Sequence, residues 1–143
     1  MKLPTLLAPA KPPTAVAAHV NPQEELDRVL QGMAQGIPGL RAVVIGDSNG
    51  LPLASVSNGT RSIAATAVAT LIVTAAKDLT AILEFSAFSD VLVEGHDWKV
   101  FVRLLRNNFT FMGVMDGDAN LGLVRIELDR RCREVEAVLD SFR

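Results

Sequence analysis

At 143 residues the chain is sized for one domain with a core of its own, needing neither disulfide nor metal to fold. Fourteen basic against sixteen acidic residues, with one Trp, six Phe and no Tyr, leave neither a cationic field nor a stacking platform for nucleic acid. The lone cysteine, Cys132, cannot form an internal disulfide, which suits a reducing cytosol.

Residues 1–20 differ from everything after them. Pro4, Pro9, Pro12 and Pro13 interrupt the segment, and it shows no helical or strand period. A secretory signal needs an unbroken apolar stretch of roughly 7–15 residues, which Pro4 and Pro9 prevent. The segment reads as a disordered proline-rich arm, with Pro9 and Pro12 at a PxxP spacing that could seat in an aromatic groove. The folded domain is expected at 21–143. Asn21 is a helix cap, Pro22 fits the first helical position, and Glu24 completes a capping box. Leu26, Val29, Leu30 and Met33 keep helical spacing, so a helix is predicted over 22–35, ended by Gly36 and Pro38.

The segment 37–55, IPGLRAVVIGDSNGLPLAS, reads as a hairpin. Two apolar runs flank Asp47-Ser48-Asn49-Gly50, turn chemistry in which Asn-Gly tolerates positive φ. Pro52 lacks an N–H and places the second run at a sheet edge. A helix is then expected over 60–83, and no residue from 62 to 76 is charged. That run of about fifteen residues is below the roughly twenty a membrane-spanning helix needs, so a buried helix is expected and no membrane insertion. On a helical wheel Ala64, Val68, Leu71, Ile72, Ala75, Leu79 and Ile82 form a stripe of larger aliphatics, expected to face the sheet. Ile63, Thr66, Ala67, Thr70, Val73 and Thr74 form a smaller, β-branched stripe expected to take a second copy of the chain.

Three more strands are predicted, over 90–95, 98–105 and 109–115. The second is apolar on both faces, as a strand covered by helices on two sides must be. The edge at Val91, Leu92 and Val93 has neither proline nor lysine to discourage a neighbour. A last helix over 120–142 carries Val124, Leu128, Cys132, Val135, Leu139 and Phe142 on one face. The fold class is α/β: an α-β-β-α-β-β-β-α sandwich with a five-stranded, mainly antiparallel sheet and helices on both faces.

This order of elements, the hairpin block at 37–55, the Ala- and Thr-rich central helix and the NLGLVRIELD entry to the last helix resemble the Roadblock / dynein light chain family. The resemblance covers about 22–142. It implies a cytoplasmic homodimer in which the central helices pair and the third strands meet to extend the sheet. On that basis the expected dimer interface is Ile63, Thr66, Ala67, Thr70, Val73 and Thr74 with Val91, Leu92 and Val93. Bacterial and archaeal members commonly associate with small Ras-like GTPases, some as GTPase-activating partners, and eukaryotic relatives act as scaffolds. The family has no shared catalytic residue set, so the resemblance implies a regulator rather than an enzyme. The proline-rich arm departs from the family pattern.

Residue by residue, the chain offers little catalytic chemistry. His19 lies in the arm and His96 in a hairpin turn, neither near Cys132, which sits on the apolar stripe of the last helix. Zinc needs three or four converging ligands, and the chain has three Cys and His residues in all, widely separated. Asp47-Ser48-Asn49-Gly50 echoes the start of a calcium loop, but Leu51 and Asn58 stand where the loop needs carboxylates, and Asp116-Gly117-Asp118 reads as a plain loop. Gly32, Gly36 and Gly39 lack the Lys-Ser/Thr of a phosphate loop, so the chain is not the GTPase itself. The glycosylation triplets at 58–60 and 108–110 have no meaning in the cytosol. Arg130, Arg131 and Arg133, interleaved with acids, read as a solvated, ion-paired face, while Arg103 and Arg106 are less balanced locally and are given no role. No catalytic, cofactor or metal residue is assigned. Two alternatives remain: a small-molecule-sensing α/β module, against which the aliphatic stripes argue, and a plain scaffold without GTPase dependence.

Overall fold

The computed structural model describes residues 21–56 and 62–142. The arm at 1–20 with its PxxP spacing and His19, the triplet at 58–60 and the predicted helix start at 60 lie outside the described residues. Helix α1 (Pro22–Gly36) begins as its sequence dictates: the Asn21 side chain accepts a hydrogen bond from the Gln23 amide, and Pro22 opens the first turn. The cap bond goes to Gln23 and not to Glu24, so the start is a simple N-cap. Leu26, Val29, Leu30 and Met33 form its buried stripe, at the predicted spacing.

Strands β1 (Leu40–Gly46) and β2 (Pro52–Val56) form the predicted hairpin. The turn is closed by the Asp47 carboxylate, which accepts from the amides of Asn49 at 2.8 Å and Leu51 at 3.0 Å, with Gly50 at φ +82°. Helix α2 (Ser62–Ile82), β3 (Asp90–Glu94), β4 (Trp98–Leu104), a 3₁₀ turn (Arg106–Asn108), β5 (Thr110–Asp116) and α3 (Leu121–Leu139) follow. The five strands make one antiparallel sheet in the order β2-β1-β5-β4-β3. Pro52 does mark one edge, and β3 is the other.

Each sheet face has its own core. On one, α1 and α3 pack Leu26, Leu30, Met33, Val124, Leu128 and Leu139 over Val43, Ile45, Phe101 and Phe111. On the other, α2 sets Ala69 and Val73 over Val44, Val102 and Met112. Phe101 and Val102, neighbours on β4, are both fully buried, which bears out the reading of that strand as covered on both sides.

Helix α2 sits differently from expectation: the stripe of larger aliphatics faces away from the sheet, and of the smaller stripe only Thr66 and Val73 are buried. Thr66, Ala69 and Val73 are the buried residues of the helix, while Ala64, Val68, Leu71, Ala75, Leu79 and Ile82 are exposed and Ile72 lies between. Side-chain size misled the sequence reading, because the helix approaches the β1–β2 hairpin too closely for large side chains. A Cβ added at Gly46 would lie 2.3 Å from the Thr66 methyl, and one at Gly50 would lie 3.2 Å from the Thr70 hydroxyl. Thr66 tolerates burial because its hydroxyl donates to the carbonyl of Ser62, four residues back, at 2.6 Å; half-buried Thr70 and exposed Thr74 bond in the same way, to Thr66 and Thr70 at 3.0 Å each. With its hydroxyl satisfied inside the helix, Thr66 packs as a valine would.

Candidate protein-interaction surface

With Thr66, Ala69 and Val73 turned inward, α2 presents its large aliphatics to solvent. Leu71 is 67 % and Ile82 75 % exposed, with Val68 and Leu79 between them on the same arc. Such a run departs from the polar outer face usual for a surface helix. The helix spans 21 residues and is by length and composition long and apolar enough to cross a membrane. Ala69 and Val73 are nevertheless packed on the sheet, and Lys77 and Asp78 break the apolar run of the helix, so here it is a layer of the fold.

The apolar arc continues onto the sheet. Between α2 and the β3–β4 end lies an open groove of about 410 Å³ lined only by apolar residues, among them Ala64, Val68, Ile72, Val93, Trp98 and Val100. Beyond it, β3 pairs with β4 on one side only, Leu92 opposite Phe101, and its other edge carries no strand among the described residues. At the C-terminal end of α2 the arc runs on through Leu83 to Phe85, 67 % exposed. Glu84 takes a left-handed conformation there, φ 58°, and the Phe85 amide closes the helix by donating to Thr80 at 2.9 Å.

The residues expected to form the interface divide accordingly. Thr66 and Val73 are buried against the chain's own sheet and are unavailable to a second copy; this corrects their assignment. Thr70 is half-buried over Gly50. Ile63, Ala67 and Thr74 are exposed, on the hairpin side of the helix. Val91, Leu92 and Val93 stand on the free edge as expected, at the opposite end of the sheet from the hairpin. The helix residues that line the groove toward that edge are Ala64, Ala65, Val68 and Ile72, joined by Trp98, whose sequence context gives it no role. Gly46 and Gly50 in the preceding hairpin, and the Ser62-Thr66-Thr70-Thr74 series at steps of four, were the available signals for the true orientation.

The β3 edge is held by an ion cluster. Asp90, only 6 % exposed, accepts from Arg103 at 2.6 Å and lies 3.6 Å from Arg125; Arg103 also reaches Asp129 at 2.7 Å. Both guanidinium groups lie over the Phe101 ring, at 5.3 Å and 5.4 Å from its centre. Burial works against the Arg103 charge, but the hydrogen bonds to Asp90 and Asp129 outweigh it and hold its pKa above the usual value. Arg103 thus has a structural role that the sequence left open. Arg106 likewise is anchored, its amide donating to Glu136 at 2.9 Å. Arg130 pairs with Glu127 at 2.6 Å and Arg131 with Glu134 at 3.3 Å, the ion-paired face expected of α3. Burial pushes the Cys132 thiol up to about 11 despite nearby Arg103, so it is a core residue and not a nucleophile. Among the described residues, no group of three or more His, Cys, Asp or Glu side chains is placed to hold a metal ion.

No protein-family model matches the chain, and no curated protein matches it in sequence. Solved structures do match in shape. MglB from Myxococcus xanthus superposes with a TM-score of 0.77 at 16 % identity, over 86 % of this chain and 93 % of that one. The gliding protein MglB from Thermus thermophilus gives 0.76 at 17 % identity, over 85 % and 93 %. A Roadblock/LC7 domain from Streptomyces avermitilis gives 0.76 at 16 % identity, over 82 % and 99 %. In element order, sheet topology and the layering of its helices, the chain has the fold of MglB and the Roadblock/LC7 domains.

Proposed function

We propose that the chain is a non-enzymatic, homodimeric cytoplasmic adaptor that binds a small Ras-like GTPase and tunes its nucleotide cycle. The observation that carries the reading is the uncovered apolar arc of α2, continuous through the groove with the unpaired edge of β3. Val68, Leu71, Leu79, Ile82, Val93 and Trp98, with the exposed alanines beside them, present on the order of 700 Å² of surface. A stable interface takes about 800 Å² per partner. A second copy related by a two-fold axis fits this surface because it offers both an apolar helix and a free strand edge to the same features. The sandwich and its resemblance to the Roadblock family supply the GTPase: the paired helices form a composite surface that neither copy has alone. A partner touching the switch loops of a GTPase will prefer one nucleotide state.

Any stimulation of hydrolysis on this reading comes from holding the GTPase's own residues in place. Arg103 is bound by two carboxylates beneath the surface and is not free to enter another active site. The test is sedimentation equilibrium of the chain, followed by capture of Ras-like GTPases of the same cell loaded with GDP or a GTP analogue. The chain alone hydrolyses no GTP, self-associates at micromolar concentration, and retains a cognate GTPase preferentially in the GTP state. Nucleotide-independent capture leaves a plain scaffold, and a monomer removes the proposal.

A further inference from the structure

Pairing through β3 uses one edge of the sheet and leaves β2 at the other. In a two-fold pair, β2 stands at both outer ends of one continuous sheet, and an open strand there would join pairs end to end without limit. The two edges are built differently. β3 pairs with β4 in unbroken register, from Asp90 opposite Arg103 to Glu94 opposite Lys99, and contains no proline. β2 opens on Pro52, and its register against β1 shifts between Ile45, opposite Ala54, and Gly46, opposite Pro52. The shift leaves Leu53 as an extra residue, a bulge that bends the strand and interrupts its ladder.

The backbone groups at the bulge are also withheld. The Asp47 amide donates to the Leu51 carbonyl at 2.9 Å, so the alternation of an antiparallel ladder turns position 52 away from β1, where proline has no N–H to offer. The next carbonyl, that of Leu53, accepts from the side-chain amide of Gln23 at 2.9 Å. Gln23 sits in the first turn of α1, thirty residues earlier in the chain. Its backbone amide is held by the Asn21 side chain at 2.8 Å, and its side-chain nitrogen also reaches Asp27, one turn on, at 3.4 Å. The cap that starts α1 thereby aims the glutamine at the strand.

We propose that Gln23 and Pro52 close the β2 edge to a second copy of the chain, so that assembly through β3 stops at a pair. Proline withholds a donor and glutamine occupies an acceptor at adjacent positions of a strand only five residues long. A neighbouring strand gains its affinity from such main-chain groups, and a strand this short has few others to offer. The limit at two rests on the proposed pairing through β3, whereas the closure of β2 stands without it.

The test is sedimentation equilibrium of the full chain across a wide concentration range. Gln23→Ala with Pro52→Val frees the Leu53 carbonyl and restores a donor in a strand-forming residue. The mass of this double variant should climb past a pair as concentration is raised, while the wild type levels off at twice the chain mass. Adding Leu92→Pro should return the double variant to no more than a pair, since only β2 is then open. Gln23→Ala alone leaves the strand sequence intact and should show the same growth at higher concentration, which keeps the test valid if the double variant does not fold. If the wild type is a monomer, pairing through β3 fails; the double variant should then form pairs that Leu92→Pro does not undo, which upholds the closure of β2. The proposal is overturned by a wild type that itself grows beyond a pair, or by folded variants that sediment as the wild type does at every concentration. Growth beyond a pair that persists with Leu92→Pro overturns it too, as association by some other surface.

Discussion

Leu71→Glu separates the two faces of α2. Leu71 sits at the centre of the exposed arc, 67 % accessible, and on self-association it loses most of that exposure. Burying a whole leucine is worth about 1.5–3 kcal/mol, so the remaining two-thirds contributes about 1–2 kcal/mol per copy and about twice that across a two-fold axis. The glutamate adds an unpaired carboxylate to a dry interface, at several kcal/mol per ion. Together these exceed about 5 kcal/mol, a loss of more than roughly a thousandfold in affinity. Sedimentation equilibrium should therefore show monomer at concentrations where the wild type is associated, with an unchanged thermal transition of the protomer. The paired control is Thr66→Glu, which places a carboxylate where only 1 % of the residue is accessible, against Gly46. That variant should lose its fold. If Leu71→Glu associates like wild type, or if Thr66→Glu gives a well-folded monomer, the orientation of α2 argued above is wrong.

Leu92→Pro removes a ladder donor from the β3 edge and should weaken self-association, while the same substitution at Leu7 in the arm should not; equal affinities in sedimentation would argue against edge pairing. Gly46→Ala drives a Cβ into the Thr66 methyl and should cost about 1–3 kcal/mol in urea unfolding, and Thr66→Ala in the same chain should recover most of it, giving a coupled double-mutant cycle. Arg103→Ala leaves the buried Asp90 carboxylate to Arg125 alone, at 3.6 Å, and should cost up to about 3–5 kcal/mol, read as a fall in denaturation midpoint. Burial raises the Cys132 thiol from 9.0 to about 11, so its contribution to stability is intact below pH 9 and is lost as pH rises through about 11. The thiol should accordingly resist alkylation in native protein at pH 8 and react on unfolding, and Cys132→Ala should flatten the alkaline loss.

Most of the architecture was legible because each element announces itself locally. Asn21-Pro22 specifies a helix start, Asp47 to Gly50 a turn, Pro52 an edge, and the Val124-to-Leu139 stripe a single buried face. The interface was legible only in part. Hydrophobic pattern shows that α2 has two apolar faces but not which one is nearer the sheet, since that depends on how closely the backbones approach. Gly46 and Gly50 set that approach from a different element, and their effect on Thr66 and Thr70 emerges only when the hairpin and helix are stacked. Arg103 was unreadable for a similar reason. Its counter-charges, Asp90 and Asp129, lie 13 and 26 residues away in sequence and meet it only once β3, β4 and α3 are assembled.

The threonine stripe ties fold to function. A helix with one large apolar face has to choose between its own sheet and a partner. Here the choice is resolved by close packing: Ala69, with Thr66 and Thr70 whose hydroxyls are satisfied within the helix, lets α2 lie low on the hairpin, and the core is closed without Val68, Leu71, Leu79 or Ile82. The large side chains are thereby left over for association, next to the one sheet edge that carries no proline. Enlarging the inward residues should lift the helix, and enlarging the outward ones should not. On the proposed dimer, stability and self-association lie on different sides of the same helix, and substitutions can separate them.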